Sequence, residues 1–500
     1  MSEARSDAIL RYASRGSAWA CTALLAVLVA WAPLPFASVE PLWEALLRAA
    51  TAAALLLGLP VLTASRALGS VAVPAAALAA VAAFGLVQSL PLPLSVASAV
   101  SPRHAETYAA AADVLPPGGG PAPSGRARLT LSPESSRSAA LGWASAAAAL
   151  LAAAFAGRSC RRRRWLAWAV LAAAGFQLLY GARHYLAEAR TIWGRPVIGV
   201  GDRLRGTFVN PNDLAYLFEI ALAVAFAWGW WGVRRGVRER SVERVLLLGA
   251  GPLALWIALF VGVVFTKSRA GLLAVGAGTL LQAALLALAG RRWSLIAWSV
   301  GLLGVGAAGA TALSATPAFE RLFATSVYEV ALGARSRVAS LGLALWSEFP
   351  WTGTGLGTFR DAFMTIRPPD FAADTWNHAH NDYVELLVTV GVVGAGAIGC
   401  GLAALCARLL RVLRDGRRSE DRAAGLAALG ALGAVGVHEA FDFGLAIPAI
   451  FVTLAVVCGA SAAARVAAPR RQRGSRHRVR SGQRPHLDEV RPRSQVDVDA

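Results

Sequence analysis

Apolar runs of about 20 residues recur along the chain, and shorter polar stretches separate them. A helix of that length crosses a hydrocarbon core about 30 Å thick. A soluble core does not hide so many runs, so the pattern predicts an all-α membrane protein with about 12 transmembrane helices. We expect these helices near residues 17–36, 45–63, 70–94, 138–157, 165–185, 212–232, 245–265, 270–290, 293–313, 382–407, 423–442 and 446–466.

The polar stretches divide the chain into four predicted parts. These are a cytoplasmic N-terminus (1–16), N-terminal transmembrane helices (17–174), a larger membrane domain (175–466) and a basic, disordered cytoplasmic tail (467–500). The N-terminal helices include an outer loop at 95–137, whose PPGGGPAPSG run is typical of a flexible segment. The larger domain includes the longest outer loop, 314–381, between the ninth and tenth helices, with an amphipathic stretch at 336–349.

Composition and charge support a membrane location. Of the 500 residues 56% are hydrophobic and 16% are charged, whereas ordinary soluble proteins carry about 25% charged residues. In a soluble protein the net charge of +19 would indicate nucleic-acid binding. Here the arginines form short runs between apolar segments, as in cytoplasmic loops of membrane proteins, and lack interleaved aromatic residues. Their distribution predicts that both termini are cytoplasmic and that nucleic acid is not a partner.

All five cysteines lie inside or beside apolar runs and none forms a CxxC pair, so neither a zinc site nor a disulfide framework is predicted.

The first apolar run follows Arg5, Arg11 and Arg15, like the apolar part of a signal peptide. It is long and no clear cleavage site precedes the next run, so we interpret it as a retained helix.

Five polar clusters fall on the predicted outer side, at the ends of apolar runs, where charged groups are costly. In the first cluster, Arg203 and Arg205 precede Pro211, Asn212 and Asp213 at the start of a helix. Pro211 and Asn212 are typical of a capped helix start. Taken alone, this cluster is explained by a loop and a cap.

The second cluster is a tight turn at 266–269 that contains Lys267, the only lysine in the chain. A helix that starts after Ser268 directs backbone N–H groups outward, which suits an anion such as phosphate. The alternative is that Lys267 and Arg269 are two cations that extend towards water from a short turn. The residues alone do not separate these interpretations.

The third cluster contains Arg335 and Arg337, followed by Trp346, Pro350 and a glycine-rich run at 353–357. The glycines do not form GxGxxG and do not follow a clear strand, which excludes a Rossmann or P-loop interpretation. The alternatives that need no function are an exposed amphipathic helix for the arginines and a tight turn for the glycines.

The fourth cluster contains His378, His380 and Asn381, and the fifth contains His438 and Asp442. Histidines two positions apart diverge on a helix, so they make a poor metal pair. A neutral histidine suits a base that accepts a hydroxyl proton, although a lone histidine is more often structural. All five clusters face one compartment, and this shared side favours a functional interpretation. Arginines occur among them, and arginines bind phosphate oxygens well.

Taken together, these clusters resemble the O-antigen ligase and polymerase superfamily of polytopic membrane glycosyltransferases. The resemblance rests on His380-Asn381 with nine residues before Gly391, on the T-x-S-R element ending at Arg269, on Arg337 through Trp346 and Pro350 to Gly353-Thr-Gly355, and on the GTFxNPNxLA run from Gly206. The motifs occur in the family order and span about residues 175–465.

The resemblance implies a metal-independent and cofactor-independent glycosyltransferase of the bacterial inner membrane, with its active site facing the periplasm. Its donor would be a polyprenyl-diphosphate-linked glycan and its acceptor a lipid A core or a second glycan. His380 would be the catalytic base, and Arg269, Arg337 and Arg205 would bind the diphosphate. The implied supporting residues are Lys267, Arg335, Asn381, His378, Asp442 and Asn212.

O-antigen ligation to lipid A core is the first hypothesis, and a repeat-unit polymerase for O-antigen or exopolysaccharide is the second. A lipid-linked sugar transporter or flippase is the alternative from another class. A transporter would hold ionisable groups near the bilayer midplane, in broken helices. Here the clusters gather at one face, which favours the enzyme.

Overall fold

Helices dominate the described chain, as lipid requires, because a backbone inside the bilayer must satisfy its own hydrogen bonds. The computed structural model describes residues 2–63, 68–114, 125–197, 203–290, 294–312, 325–371 and 376–467. The helices are α1 (Ser2–Trp31), α2 (Pro41–Thr63), α3 (Ala72–Gln88), α4 (Leu94–Val100), α5 (Pro102–Val114), α6 (Pro133–Ala156), α7 (Cys160–Leu186), α8 (Pro211–Arg238), α9 (Val242–Thr266), α10 (Arg269–Gly290), α11 (Ser294–Ala312), α12 (Thr325–Glu348), α13 (Phe359–Ile366), α14 (Asp382–Asp415), α15 (Ser419–His438) and α16 (Pro448–Ala462).

Each of the twelve predicted segments coincides with one of these helices. In the described ranges, seven helices are long and apolar enough to cross a membrane, namely α2, α6, α7, α8, α9, α10 and α14. Shorter apolar stretches occur in α1, α3, α11 and α16. The all-α membrane architecture is therefore confirmed, whereas twelve crossings and the position of the large loop stay predictions.

Some helix ends differ from the predicted ones. α14 continues to Asp415 instead of ending near 407, and α15 ends at His438 instead of near 442. The earlier end of α15 places Asp442 in a turn. Polar side chains favour a turn there because they can bond to its free backbone groups.

The residues up to Val466 form one compact unit with α8 near its centre. Helix α8 is buried over 94% of its apolar window, against 39% for α7. It packs against α7, α9, α10 and α15, which agrees with an apolar surface on all sides. The predicted boundary at 174/175 falls inside α7, and the four-part division stays a prediction.

Two of the predicted outer loops, 95–137 and 314–381, pack against each other at one end of the bundle. The 95–137 loop includes α4 and α5, which the apolar pattern did not predict, and strands β1 (Leu92–Pro93) and β2 (Arg126–Ala127) form an antiparallel pair beside them. Arg103 on α5 donates a 2.8 Å hydrogen bond to Glu348 at the end of α12. The predicted amphipathic stretch at 336–349 lies within or beside α12. A second short pair joins β3 (Thr191–Ile192) and β4 (Arg195–Pro196).

Three predictions concern residues that lie wholly or partly outside the described ranges. These residues are 116–124 of the PPGGGPAPSG run, the tail from 468 onward, and 313–324 and 372–375 of the longest loop.

The glycine-rich run at 353–357 fills a break in α14. The helix is interrupted at Gly391 (φ 62°, ψ −169°). There the Thr354 N–H donates to Val388 O over 2.7 Å, and the Val392 N–H donates to Pro350 O over 2.9 Å. A Cβ on Gly353 would overlap the backbone of Thr389. The glycines therefore let two backbones approach, in agreement with the tight-turn interpretation.

A buried glutamine of α3 holds the same run from the other side. Gln88 donates from Nε2 to Thr352 O over 2.8 Å, and its Oε1 accepts from the Leu356 N–H over 3.0 Å. The N-terminal helices therefore position the loop that supports the start of α14.

Candidate active site

His380 and Asp442 form a hydrogen-bonded pair where two turns meet. Nδ1 of His380 lies 3.1 Å from Oδ1 of Asp442. An ionised carboxylate only accepts, so Nδ1 carries the proton in this contact, and Nε2 is the nitrogen that holds the lone pair when the ring is neutral. The His380 side chain is 21% exposed and that of Asp442 is 1% exposed. The imidazole is therefore accessible, while the carboxylate lies behind it.

Two turns are joined by backbone contacts beside this pair. His380 has the left-handed conformation (φ 51°), and Asn381 caps α14 by accepting from the Val384 N–H. The Asn381 amide also donates to Ala440 O over 3.1 Å, and the Asp382 N–H donates to Glu439 O over 2.9 Å. These bonds fix the turn of His380 against the turn of Asp442.

Two side chains lie beside the Asp442 carboxylate on its other side. Asn212, at the start of α8, donates to Oδ2 over 2.7 Å, and Arg203 donates to the side-chain Oδ1 of Asn212 over 2.5 Å. Nη1 of Arg335 lies 4.0 Å from Oδ2. Burial raises the pKa of Asp442, but the His380 hydrogen bond and the Arg335 charge outweigh it and lower the pKa to about 2. Asp442 is therefore an anion near neutral pH.

A second histidine supports the wall of the site. Nδ1 of His378 lies 2.9 Å from Oε1 of Glu385, and its ring stacks on Phe443 with centroids 4.2 Å apart. Burial lowers the pKa of His378, but the charge and hydrogen bond of Glu385 raise it by more, so the net shift is upward. Phe443 and Trp376 also contact the His380 ring edge-on, at 4.9 and 5.5 Å.

The cationic clusters lie beside this network. Leu204 N–H donates to Phe265 O over 2.9 Å, and Arg203 Nε donates to Thr266 O over 2.6 Å. These bonds join the 203–207 loop to the 266–269 turn. In this turn Lys267 ends α9 in a left-handed conformation and is buried, and Arg269 begins α10.

The remaining predicted cations differ in their surroundings. Arg205 is buried in the 203–207 loop. Arg335 is half-buried and donates to Phe441 O over 3.1 Å, next to Asp442. Arg337 is exposed, with its guanidinium 5.0 Å from the centre of the Phe371 ring. Phe371 packs on Trp376, whose ring contacts His380, so aromatic rings connect Arg337 with His380.

Another histidine–carboxylate pair lies deeper in the bundle. Nδ1 of His438 is 2.6 Å from Oε1 of Glu219, and both side chains are fully buried. The Tyr216 ring stacks on His438 at 3.8 Å. Glu219 lies about 12 Å along α8 from the helix start at Pro211. Sequence reasoning grouped His438 with the outer turn and did not single out Glu219.

The structure thus joins His380, Asp442, Asn212, Arg335, Asn381 and His378 in one network. Arg203, Trp376, Phe443 and Glu385 belong to it as well, although none was predicted as a site residue. Arg203 belongs to the first polar cluster, and its position two residues before Arg205 could have marked it as a site residue. Nothing in the sequence pairs Glu385 with His378.

In the described ranges, no group of three or more His, Cys, Asp or Glu side chains is arranged to hold a metal ion. Residues 253–399 match the family model described as O-antigen ligase. That segment contains the 266–269 turn, Arg335, Arg337, His380 and Gly391, and it leaves Asn212 and Asp442 outside. A search of curated proteins finds no match for this chain.

Proposed function

We propose that this protein is a membrane glycosyltransferase of the O-antigen ligase and polymerase superfamily that uses a lipid-linked donor, because residues 253–399 match the O-antigen ligase family model. It transfers a glycan from a polyprenyl-diphosphate carrier to an acceptor hydroxyl at the periplasmic face of the inner membrane. The acceptor is lipid A core. The observation that carries this proposal is the His380–Asp442 pair, bordered by cationic side chains.

His380 is the base in this mechanism. With its Nδ1–H bonded to Asp442, Nε2 takes the proton of the acceptor hydroxyl. The acceptor oxygen attacks the anomeric carbon as the bond from that carbon to the diphosphate oxygen breaks, which inverts the configuration. The electron pair leaves with the polyprenyl diphosphate. The buried Asp442 carboxylate stabilises the imidazolium that forms, as a carboxylate does beside a catalytic histidine.

The cations stabilise the leaving diphosphate. Charge develops on its oxygens as the bond breaks, and positioned guanidinium groups stabilise such charge without a metal. Arg269 and Arg337 are the first candidates by family resemblance, with Arg205 and Lys267 beside them. Arg203 is a further candidate, because its bonds to Thr266 O and Asn212 join the cationic turn to Asp442.

A repeat-unit polymerase is the alternative within this class. It uses the same donor and the same base, and only the acceptor differs. The aromatic rings of Trp376 and Phe443 beside His380 suit the apolar face of a sugar in either acceptor.

A lipid-linked sugar transporter is favoured by one observation, the fully buried Glu219–His438 pair. Ionisable groups at membrane depth commonly mark transport pathways. However, these two side chains are enclosed on all sides, whereas the exposed imidazole is His380 at the end of the bundle.

The test is glycan transfer by full-length protein purified into proteoliposomes. The donor is a polyprenyl-diphosphate glycan, and the acceptor is either lipid A core or a second donor glycan. Wild type is compared with His380→Ala and with the matched control His184→Ala. His184 is a half-buried histidine at the end of α7 that bonds its own helix through Tyr180 O.

Transfer to lipid A core that is lost in His380→Ala and kept in His184→Ala supports the ligase. Chain lengthening with the same dependence replaces the ligase by the polymerase. Donor movement across the bilayer without transfer, unchanged in His380→Ala, overturns the enzyme proposal in favour of transport.

A further inference from the structure

An open cavity of about 320 Å³ lies between α7, α8 and α9, far from His380. Its α8 wall is formed by Trp228 and Trp231, whereas the active-site end of α8 is Pro211. At 1.5 Å per residue, Trp228 lies about 26 Å along the helix from Pro211. The cavity is therefore at the opposite end of the bundle, where the proposed mechanism uses no residue.

The cavity wall is apolar and aromatic. Trp165 and Trp168 on α7 are 56% and 50% exposed, and they face the buried Trp228 and Trp231 of α8. Leu248 of α9 closes the third side. Tryptophan is enriched where a membrane protein meets the headgroup region of a bilayer. A wall of this kind suits acyl chains better than a polar metabolite.

The mouth of the cavity is basic. Arg161 and Arg164 line it on α7. Arg164 lies 3.6 Å from Glu420, which also lies 3.6 Å from Arg235. Arg161 is stacked at 5.4 Å over the Trp19 ring. Two guanidinium groups thus share the Glu420 carboxylate, while that of Arg161 lies over a ring. The excess positive charge suits a phosphate.

The shape of the wall is fixed by the close approach of α8 and α9. A Cβ on Gly232 would overlap Leu248 O, and a Cβ on Gly249 would overlap the side chain of Val233. In this stretch α9 forms a π-helical turn, Leu246–Ala250, which presents Leu248 to the cavity. Such turns are frequent at functional sites. The cavity is therefore built into the helix pair.

We propose that this cavity binds one anionic glycerophospholipid from the adjacent bilayer leaflet. The phosphate lies against Arg161 and Arg164, and the upper part of an acyl chain lies between the tryptophans and Leu248. Basic pockets between transmembrane helices bind anionic headgroups in this way. The inference does not depend on the proposed enzymatic activity.

The test is native mass spectrometry of the full-length protein with phosphatidylglycerol or phosphatidylcholine. Wild type is compared with Arg161→Gln/Arg164→Gln and with Ala167→Phe, which fills the cavity without a change of charge. Arg411→Gln/Arg414→Gln is the matched control, because these exposed arginines lie near the end of α14 that is remote from His380 and do not line the cavity.

Wild type is expected to retain one phosphatidylglycerol more strongly than phosphatidylcholine. A basic residue near an anionic lipid changes affinity by about fivefold, so the Arg161/Arg164 double variant should lose about 25-fold. Ala167→Phe should also lose binding, and the control should keep it. Soluble glycerol phosphate should not displace the lipid, because it lacks acyl chains.

Equal retention of the two lipids by wild type overturns the proposal, since it indicates a non-selective lipid shell. An equal loss in the control overturns it as well, because general charge then explains the binding. Full displacement by glycerol phosphate replaces the lipid site by a site for soluble anions.

Discussion

Besides the His378–Glu385 contact, two histidine–carboxylate pairs lie within the same half of this bundle, and they differ in what can reach them. His380 and Asp442 are 3.1 Å apart in joined turns, with the imidazole 21% exposed. His438 and Glu219 are 2.6 Å apart between two helices, with both side chains at 0% exposure. The hydrogen bond is of the same type in both pairs, whereas the two pairs differ in the access to the second ring nitrogen.

Access decides the role of each pair. In the described structure, Nε2 of His438 and Oε2 of Glu219 are buried without a hydrogen-bond partner. No acceptor hydroxyl can approach a ring that is covered by Tyr216 and enclosed by helices. We therefore expect the deep pair to hold α8 against α15 and the outer pair to perform chemistry. Four predictions separate these roles.

The largest expected effect is on the rate of glycan transfer after His380→Ala. Loss of a general base lowers kcat by roughly 10²–10⁴-fold. The thermal unfolding temperature in detergent should stay close to wild type, because the ring is partly exposed and at the end of the bundle. Transfer kinetics and an unfolding curve on one preparation check both. Full activity in His380→Ala would remove the base from the mechanism.

The next largest effect is on stability after His438→Ala. The substitution leaves the Glu219 carboxyl buried without its partner, which costs about 3–5 kcal/mol. The protein that remains folded should keep a kcat close to wild type. Thermal unfolding and activity per folded molecule are the measurements. The apolar double variant Glu219→Leu/His438→Leu should recover much of the lost stability. A fall in kcat as steep as that of His380→Ala would contradict a purely structural pair.

Asp442→Asn should have an intermediate effect. A hydrogen bond to a charged group contributes about 1.5–3 kcal/mol, so loss of the carboxylate should lower kcat roughly 10- to 100-fold. The folded pKa of Asp442 is lowered to about 2. Its stabilising effect is therefore complete above the unfolded pKa of about 4 and is lost as the pH falls towards 2. Unfolding temperatures between pH 5 and 2 should show this loss in wild type, with a smaller loss in the variant.

The smallest effect is expected for His378→Gln. The pKa of His378 is raised, so its stabilising effect is complete below the unfolded pKa of about 6.5 and is lost as the pH rises above that value. Wild type should lose a small part of its thermal stability between about pH 6.5 and 9. The His378→Gln variant should lose less over that range. Identical pH profiles would mean that the His378–Glu385 contact does not stabilise the fold.

The sequence predicted local features well. Apolar runs located the helices, and Pro211 marked the start of α8, because cap and proline preferences act within one turn of backbone. The residue that caps α8 is Asn210, however, and not Asn212. Contacts between distant segments were not predictable in the same way. His380 and Asp442 are 62 positions apart, and no periodicity relates two turns that meet only after the helices have packed.

The glycine-rich run shows the same limit. The sequence excluded a phosphate loop at 353–357, and the structure explains the glycines by the break in α14. That explanation needs Gln88 and Gly391, which lie on different helices. The deep pair was missed for a similar reason, because Glu219 stands among apolar residues of α8 and its partner comes from α15.

The break at Gly391 has an evolutionary consequence. Gly353 leaves room for the backbone of Thr389, and Gly391 leaves room for the backbone of Trp351. Both glycines therefore serve one crossing of two backbones, and a family member that loses one gains little from the other. We expect the two glycines to be inherited or lost together among relatives. A relative that keeps both glycines is therefore expected to keep this backbone crossing, which lies in the same helix that His380 and Asn381 precede.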